Sequence, residues 1–156
     1  MINLKKIALT VRAAIETALD RCDLPSTESA VRLLLMIAAH ESGGFTYCRQ
    51  GGNGPAIGLF QMEAPTYKHV LEYLNRTGKF PAVSRQLPFE RMLTDATHAA
   101  AIARVYLYTF PEPLPAPEDL DGLAAYAKKY WNTTAGKATE ADYKNAFIKY
   151  VWEGRA

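Results

Sequence analysis

Residues 30–41 read AVRLLLMIAAHE, and apart from Arg32 the segment is apolar on every side until His40 and Glu41 close it. A helix with no polar face cannot lie on a surface, so this one is expected to run through the centre of the core with other helices around it. Pro25 breaks the chain before it, Ser26 or Thr27 supplies an N-cap, and Gly43 and Gly44 end it. At 156 residues the chain is the size of one domain with a full core.

Most of the remaining sequence also carries a helical apolar pattern. Apolar residues at 4, 7, 8, 11, 14, 15, 18 and 19 predict an amphipathic helix from about Asn3 to Arg21. Pro65 opens a helix with Tyr67, Val70, Leu71 and Leu74 on one side, ended by Gly78. A short helix is expected near 88–93, a long one over Asp95 to Phe110, and another over about 118–131. Thr139 with Asp142 resembles a capping box and starts a last helix to about Trp152. The segment PEPLPAP, 111–117, cannot be helical and reads as a stiff connector inside one domain. Residues 49–58, with Gly51, Gly52, Asn53, Gly54, Pro55 and Gly58, predict a loop or small hairpin, and GGNG at 51–54 reads as a mobile lip. The expected fold is mostly α, about six to eight helices around one core, with residues 1–156 as a single domain.

The formal charge of +2, with no Lys/Arg block, argues against a nucleic acid partner. Cys22 and Cys48 read as two free thiols of a reducing compartment, and the three histidines form no metal-ligand pattern, so no cofactor or metal is expected. Arg12 and Glu16 interrupt the first apolar run too early for a signal peptide, and no segment is long enough for a membrane span. The sequence therefore predicts a chain made in the cytoplasm, without membrane insertion.

Glu41 is the residue that most needs an explanation. At the end of an apolar helix a carboxylate opposes the helix dipole and loses water, and both effects favour the neutral acid. A carboxylic acid that stays protonated near neutral pH is what cleavage of a glycosidic bond requires, because the leaving oxygen must receive a proton. The competing reading from position alone is an exposed Glu at a frayed helix end.

The neighbouring motifs bear on this choice. HES at 40–42, GLFQM at 58–62 and AAYAKKYWNTTAG at 124–136 together resemble the lysozyme-like superfamily, especially the soluble lytic transglycosylases and goose-type lysozymes. That pattern is a Glu-Ser dipeptide ending a buried helix, a Gly-Leu-x-Gln turn, and an Ala-Tyr segment. The resemblance covers roughly residues 28–152, and the compact size points toward phage endolysins or tail-associated lysins. It implies a lysozyme-like domain, a monomer with a substrate cleft, peptidoglycan glycan strands as substrate reached after release or delivery to the cell wall, and Glu41 as the catalytic acid. It also implies that Ser42 supports the substrate or the Glu, that Gln61 bonds a sugar, and that Gly58 lets backbone approach the polysaccharide. Met62 is a further substrate-side candidate, while Leu59 and Phe60 read as packing. In the third motif Ala125 and Tyr126 match, but Ala127 replaces the Asn of the common Ala-Tyr-Asn-Ala-Gly, and Tyr130, Trp131 and Asn132 follow before Gly136. Tyr126 and Tyr130 are one turn apart, and either hydroxyl is a candidate to bond Glu41, with Tyr130 preferred. Trp131 is a candidate to stack on a sugar face or to pack in the core. His40, about 100° around the helix from the acid, is expected to be a packing or supporting residue, and His98 a core or surface residue.

Inverting hydrolysis needs a second carboxylate, roughly 6.5–9.5 Å from the acid, to activate water. Lytic transglycosylases need none, because the N-acetyl group of the substrate assists and its 6-hydroxyl closes a 1,6-anhydro ring. Glu63 occupies the place of an acidic residue in goose-type enzymes and is the candidate second carboxylate, but no carboxylate lies between it and Glu41. The alternative for Glu63 is a charge that suits the N-terminus of the helix at Pro65. The resulting expectation is a lytic transglycosylase ahead of a muramidase cutting the same β-1,4 bond between N-acetylmuramic acid and N-acetylglucosamine. A catalytically idle glycan-binding or virion structural module is the reading from another class.

Overall fold

The structure, a computed structural model, describes residues 3–46, 54–132 and 136–152. Within them the chain forms α1 (Leu4–Arg21), α2 (Glu28–Glu41), α3 (Ala64–Thr77), α4 (Arg91–Thr94), α5 (Ala96–Tyr108), α6 (Leu120–Tyr126), a π-helical turn (Ala127–Asn132) and α7 (Glu140–Tyr150). No described helix is long and apolar enough to cross a membrane.

The all-apolar segment is central, as its composition requires. α2 packs against α1, α5, α6, α7 and the π turn. Leu33, Leu34, Leu35, Met36 and Ile37 are each at most 1% exposed. Burying side chains of this size contributes roughly 1.5–3 kcal/mol apiece. Thr27 caps the helix by accepting from the Ala30 amide at 3.2 Å. Arg32, the one charge within the segment, donates to the Pro117 carbonyl at 2.8 Å and pairs with Glu28 at 3.2 Å. Ser29 donates to the Pro115 carbonyl at 2.6 Å. The two polar side chains of this face thus tie the proline-rich connector to the core, where it could offer few N–H groups of its own.

The helices fall close to their sequence expectations, with two differences. The short helix near 88–93 is a single turn at Arg91–Thr94. The helix expected over 118–131 keeps α geometry only to Tyr126 and then widens into the π turn. The loop or small hairpin expected over 49–58 lies in part outside the described residues; at its far end Ile57 and Met62 exchange backbone bonds at 3.0 and 3.1 Å around a turn at 58–61. The lip predicted at 51–54 and Cys48 fall largely or wholly outside the described residues. Cys22 is a free thiol, half-buried. Helix α7 begins with the capping box that the sequence announces, in which the Asp142 amide donates to Thr139 Oγ1 at 3.2 Å and the Thr139 amide to Asp142 Oδ2 at 2.8 Å.

The turn at 58–61 explains Gly58, and the explanation is not the expected one. Gly58 has φ +83°, and an added Cβ would lie 2.3 Å from the Met92 carbonyl oxygen. The close approach that excludes a side chain is therefore to the α4 backbone, not to a polysaccharide. Replacing Gly58 with Ala combines a left-handed backbone with a clash against main chain, and we expect a loss of at least ~2 kcal/mol. Urea unfolding checks this: the midpoint should fall with an unchanged slope.

Candidate active site

Glu41 is the last residue of α2, where helix carbonyls point past it and a negative charge is disfavoured. Its side chain is largely withdrawn from water, and this burial pushes the carboxyl above its ordinary value of 4.5. One described side chain opposes that rise: the Tyr143 hydroxyl donates to Glu41 Oε1 at 2.7 Å. A neutral donor steadies the carboxylate without neutralising it, and desolvation is the larger effect.

Tyr143 is fully buried, and its own hydroxyl is pushed far up, first by burial and then by the neighbouring Glu41 charge. It therefore stays a donor at any ordinary pH. Its position follows from the capping box: with Thr139 as N-cap, residue 143 lies one turn in and faces α2. The His40 ring packs against the Tyr143 ring with centroids 4.4 Å apart. Burial lowers the His40 pKa, only partly offset by Asp142, so the neutral ring is favoured. His40 thus packs behind the acid through the tyrosine that bonds it. Asn132 lies near the Tyr143 hydroxyl, and its Oδ1 accepts from Lys128 Nζ at 2.7 Å.

Neither tyrosine expected to bond Glu41 does so. Tyr126 is 4% exposed and donates to the Glu112 carbonyl at 3.1 Å, while Tyr130 stands beside the Glu112 carboxylate. Their rings are 4.5 Å apart, and Tyr130 also lies 4.5 Å from Phe110. The two do share a helical face, but that face meets the proline-rich connector. The sequence reading missed Tyr143, although its signal was present: a buried-pattern tyrosine at a fixed offset from a recognised cap.

The other candidates divide in the same way. Ser42 is fully buried, donates to the Ala38 carbonyl at 2.5 Å and accepts from the Phe45 amide at 2.8 Å, so it closes α2 and does not meet substrate. Met62 is 2% exposed and belongs to the core. Gln61 has φ +49°, and its Nε2 donates to the Gly58 carbonyl at 2.9 Å. One of its donors is thus committed to holding its own strained turn. Trp131 is half-buried, 6.2 Å from the Phe60 ring and edge-on to Tyr106 at 5.6 Å, which fastens the 57–62 turn to the π turn. Glu63 is exposed at the N-cap of α3 and makes no capping bond. His98 is a buried residue whose Nε2 is 2.8 Å from the Tyr67 hydroxyl. No group of three or more metal-ligating side chains occurs among the described residues. The arrangement leaves one carboxyl whose burial favours the protonated form, held by the Tyr143 hydroxyl.

No protein-family model matches this chain, and neither the curated proteins nor the solved structures compared with it include a significant match.

The raised Glu41 pKa has a thermodynamic consequence. A carboxyl whose folded value exceeds its unfolded value contributes stability that is fully present below the unfolded value and lost as pH rises through the folded one. Glu41→Gln removes that loss. Above the folded Glu41 pKa we expect the variant to gain on the wild type by ~1.4 kcal/mol for each factor of ten by which folding weakens the acid. The gain should vanish below about pH 4. Denaturant unfolding at a series of pH values measures it.

Proposed function

We propose that this chain cleaves the β-1,4 glycosidic bond between N-acetylmuramic acid and N-acetylglucosamine in peptidoglycan, as a lytic transglycosylase with Glu41 as acid and then base. The observation that carries this reading is the Glu41 carboxyl itself: desolvated, at the negative end of a helix, and partnered among the described residues by a neutral hydroxyl. It is supported by the motif order from HES through GLFQM to the Tyr-Trp-Asn segment.

In the proposed reaction the protonated Glu41 gives its proton to the bridging oxygen as the bond from that oxygen to C1 of the muramyl unit breaks. The positive charge that develops at C1 is taken up by the neighbouring N-acetyl oxygen. The muramyl 6-hydroxyl then attacks C1, and its proton passes to the Glu41 carboxylate, which restores the starting acid. Tyr143 matters most between the two steps, because a hydrogen bond to a charged acceptor is stronger than one to a neutral acceptor. The hydroxyl thereby eases proton loss without the charge neutralisation a lysine or arginine would impose.

Hydrolysis of the same bond is the second reading, and one observation favours it: Glu63 is exposed and no capping bond engages its side chain. Mass spectrometry of digested glycan separates the two, since 1,6-anhydro ends are lighter than reducing ends by one water. We expect anhydro ends. Glu41→Gln should lower the release of soluble fragments from purified cell walls by at least ~100-fold, the usual range for loss of a general acid. Activity near wild type in a folded variant would refute the role of Glu41.

Tyr143→Phe generates a further expectation. Without the donor, the charged form of Glu41 loses support, and its pKa moves further up. The basic limb of the pH–rate profile reports deprotonation of the acid, so it should move to higher pH while the maximal rate falls.

A further inference from the structure

The proposed chemistry uses the C-terminal end of α2 but not the groove between the start of α3 and the end of α5. Pro65, Thr66 and His69 line one side of a cavity of about 270 Å³ there, and Tyr106, Thr109 and Phe110 line the other. Tyr106 stands edge-on to three rings, with centroids 6.4 Å from His69, 5.2 Å from Phe110 and 5.6 Å from Trp131. Trp131 in turn meets Phe60, in the turn that carries Gln61, at 6.2 Å. A line of ring contacts therefore joins this groove to the 57–62 turn. Tyr106 and Phe110 remain half-buried and His69 is exposed, so the fold does not cover the aromatic surface.

The polar groups of the groove are neutral and uncommitted. Among the described residues the side chains of Tyr106, Thr66 and His69 make no hydrogen bond. No described side-chain oxygen is both sealed from solvent and unpartnered, so the Tyr106 hydroxyl is accessible. No charged side chain lines the groove among the described residues. A phosphate, carboxylate or ammonium would lose water there without gaining a counter-charge. The rings supply apolar faces, and the hydroxyls and imidazole supply donors and acceptors beside them. The matching ligand is neutral, apolar on one face and rimmed by hydroxyl groups, which is the build of a pyranose. The volume lies below the roughly 300–1,000 Å³ of sites for drug-sized ligands and suits a single ring unit.

We propose that the α3–α5 groove is a pyranose-binding subsite, in which a neutral sugar unit rests on Tyr106 and Phe110 and hydrogen-bonds the Tyr106 hydroxyl, Thr66 and His69. Its use in this chain rests on the reading of Glu41 as a glycan-cleaving acid: the groove then holds a further unit of the same strand. That unit is N-acetylglucosamine. A muramyl unit carries a lactyl group, whose carboxylate finds no cation here and whose peptide-bearing form exceeds a space for one ring.

The test is a nitrogen-15 NMR titration of the full chain with chitotetraose, an oligomer of N-acetylglucosamine, in the Glu41→Gln background so that nothing is cut. The amides of Thr66, His69, Tyr106 and Phe110 should move and saturate together. Tyr106→Phe keeps the ring and should raise the dissociation constant about twofold to tenfold, the range for one hydrogen bond. His69→Ala should raise it as well. Amides that stay put at these residues, or a dissociation constant unchanged in both variants, overturn the proposal. So does phenol that moves the same amides as tightly as the oligomer, which marks a generic aromatic crevice. If Tyr106→Phe does not fold, Thr66→Ala removes a second hydroxyl from the first turn of α3 and is read in the same way. The two readings fail separately. Binding at the groove by a wild type that releases no cell-wall fragments removes the role of Glu41 and leaves the subsite standing, whereas wall cleavage without binding here removes the subsite alone.

Discussion

The site depends on a carboxyl whose main surroundings are apolar helix and whose partner is a neutral hydroxyl. Desolvation and the helix dipole favour the acid, while the Tyr143 bond favours the carboxylate, and the first effect is larger. With a lysine or arginine in place of Tyr143 the balance would reverse, because an opposite charge at contact lowers a carboxyl pKa by roughly one to three pH units. This balance sets requirements for the rest of the fold. α2 must be central, so that its C-terminal end is withdrawn from water. α7 must start at Thr139, so that residue 143 faces that end.

The proline-rich connector is a structural element of the site, although it has no regular structure. Ser29 and Arg32 hold it from α2, and Tyr126 holds the Glu112 carbonyl from the other side. Buried Arg104 adds a comparable tie, donating from Nε to the Pro25 carbonyl at 2.9 Å before α2. Carbonyls that proline-rich and turn segments cannot pair by themselves are thus satisfied by side chains from the core helices. Ser29, Arg32 and Arg104, which break the apolar pattern of α2 and α5, are each engaged by one of these carbonyls.

Much of the fold was legible because burial leaves a periodic trace. The centrality of α2 follows from its lack of a polar face, and the start of α7 from a capping box that is a local interaction. Glu41 was legible as an acid for the same local reason: its place at a helix end. The partners of Glu41 were not, because they are set by how helices far apart in sequence meet. The spacing of Tyr126 and Tyr130 correctly implies a shared face but says nothing of which surface that face touches. Gly58 shows a similar limit. Its need to lack a side chain is visible in the sequence, yet the atom that imposes it is the carbonyl oxygen of Met92, far along the chain in α4. The switch from α to π geometry at Ala127 has no propensity signal, since one residue's change of ring size costs little locally and is decided by packing.

A pH titration of the Glu41 carboxyl in the unmodified protein, by carbon-13 NMR or infrared difference spectroscopy, decides whether this residue is a proton donor. The expected midpoint lies clearly above 4.5, the ordinary value for this side chain. A midpoint at or below that value would mean a solvated or charge-paired carboxylate, and Glu41 could not then protonate a leaving oxygen near neutral pH.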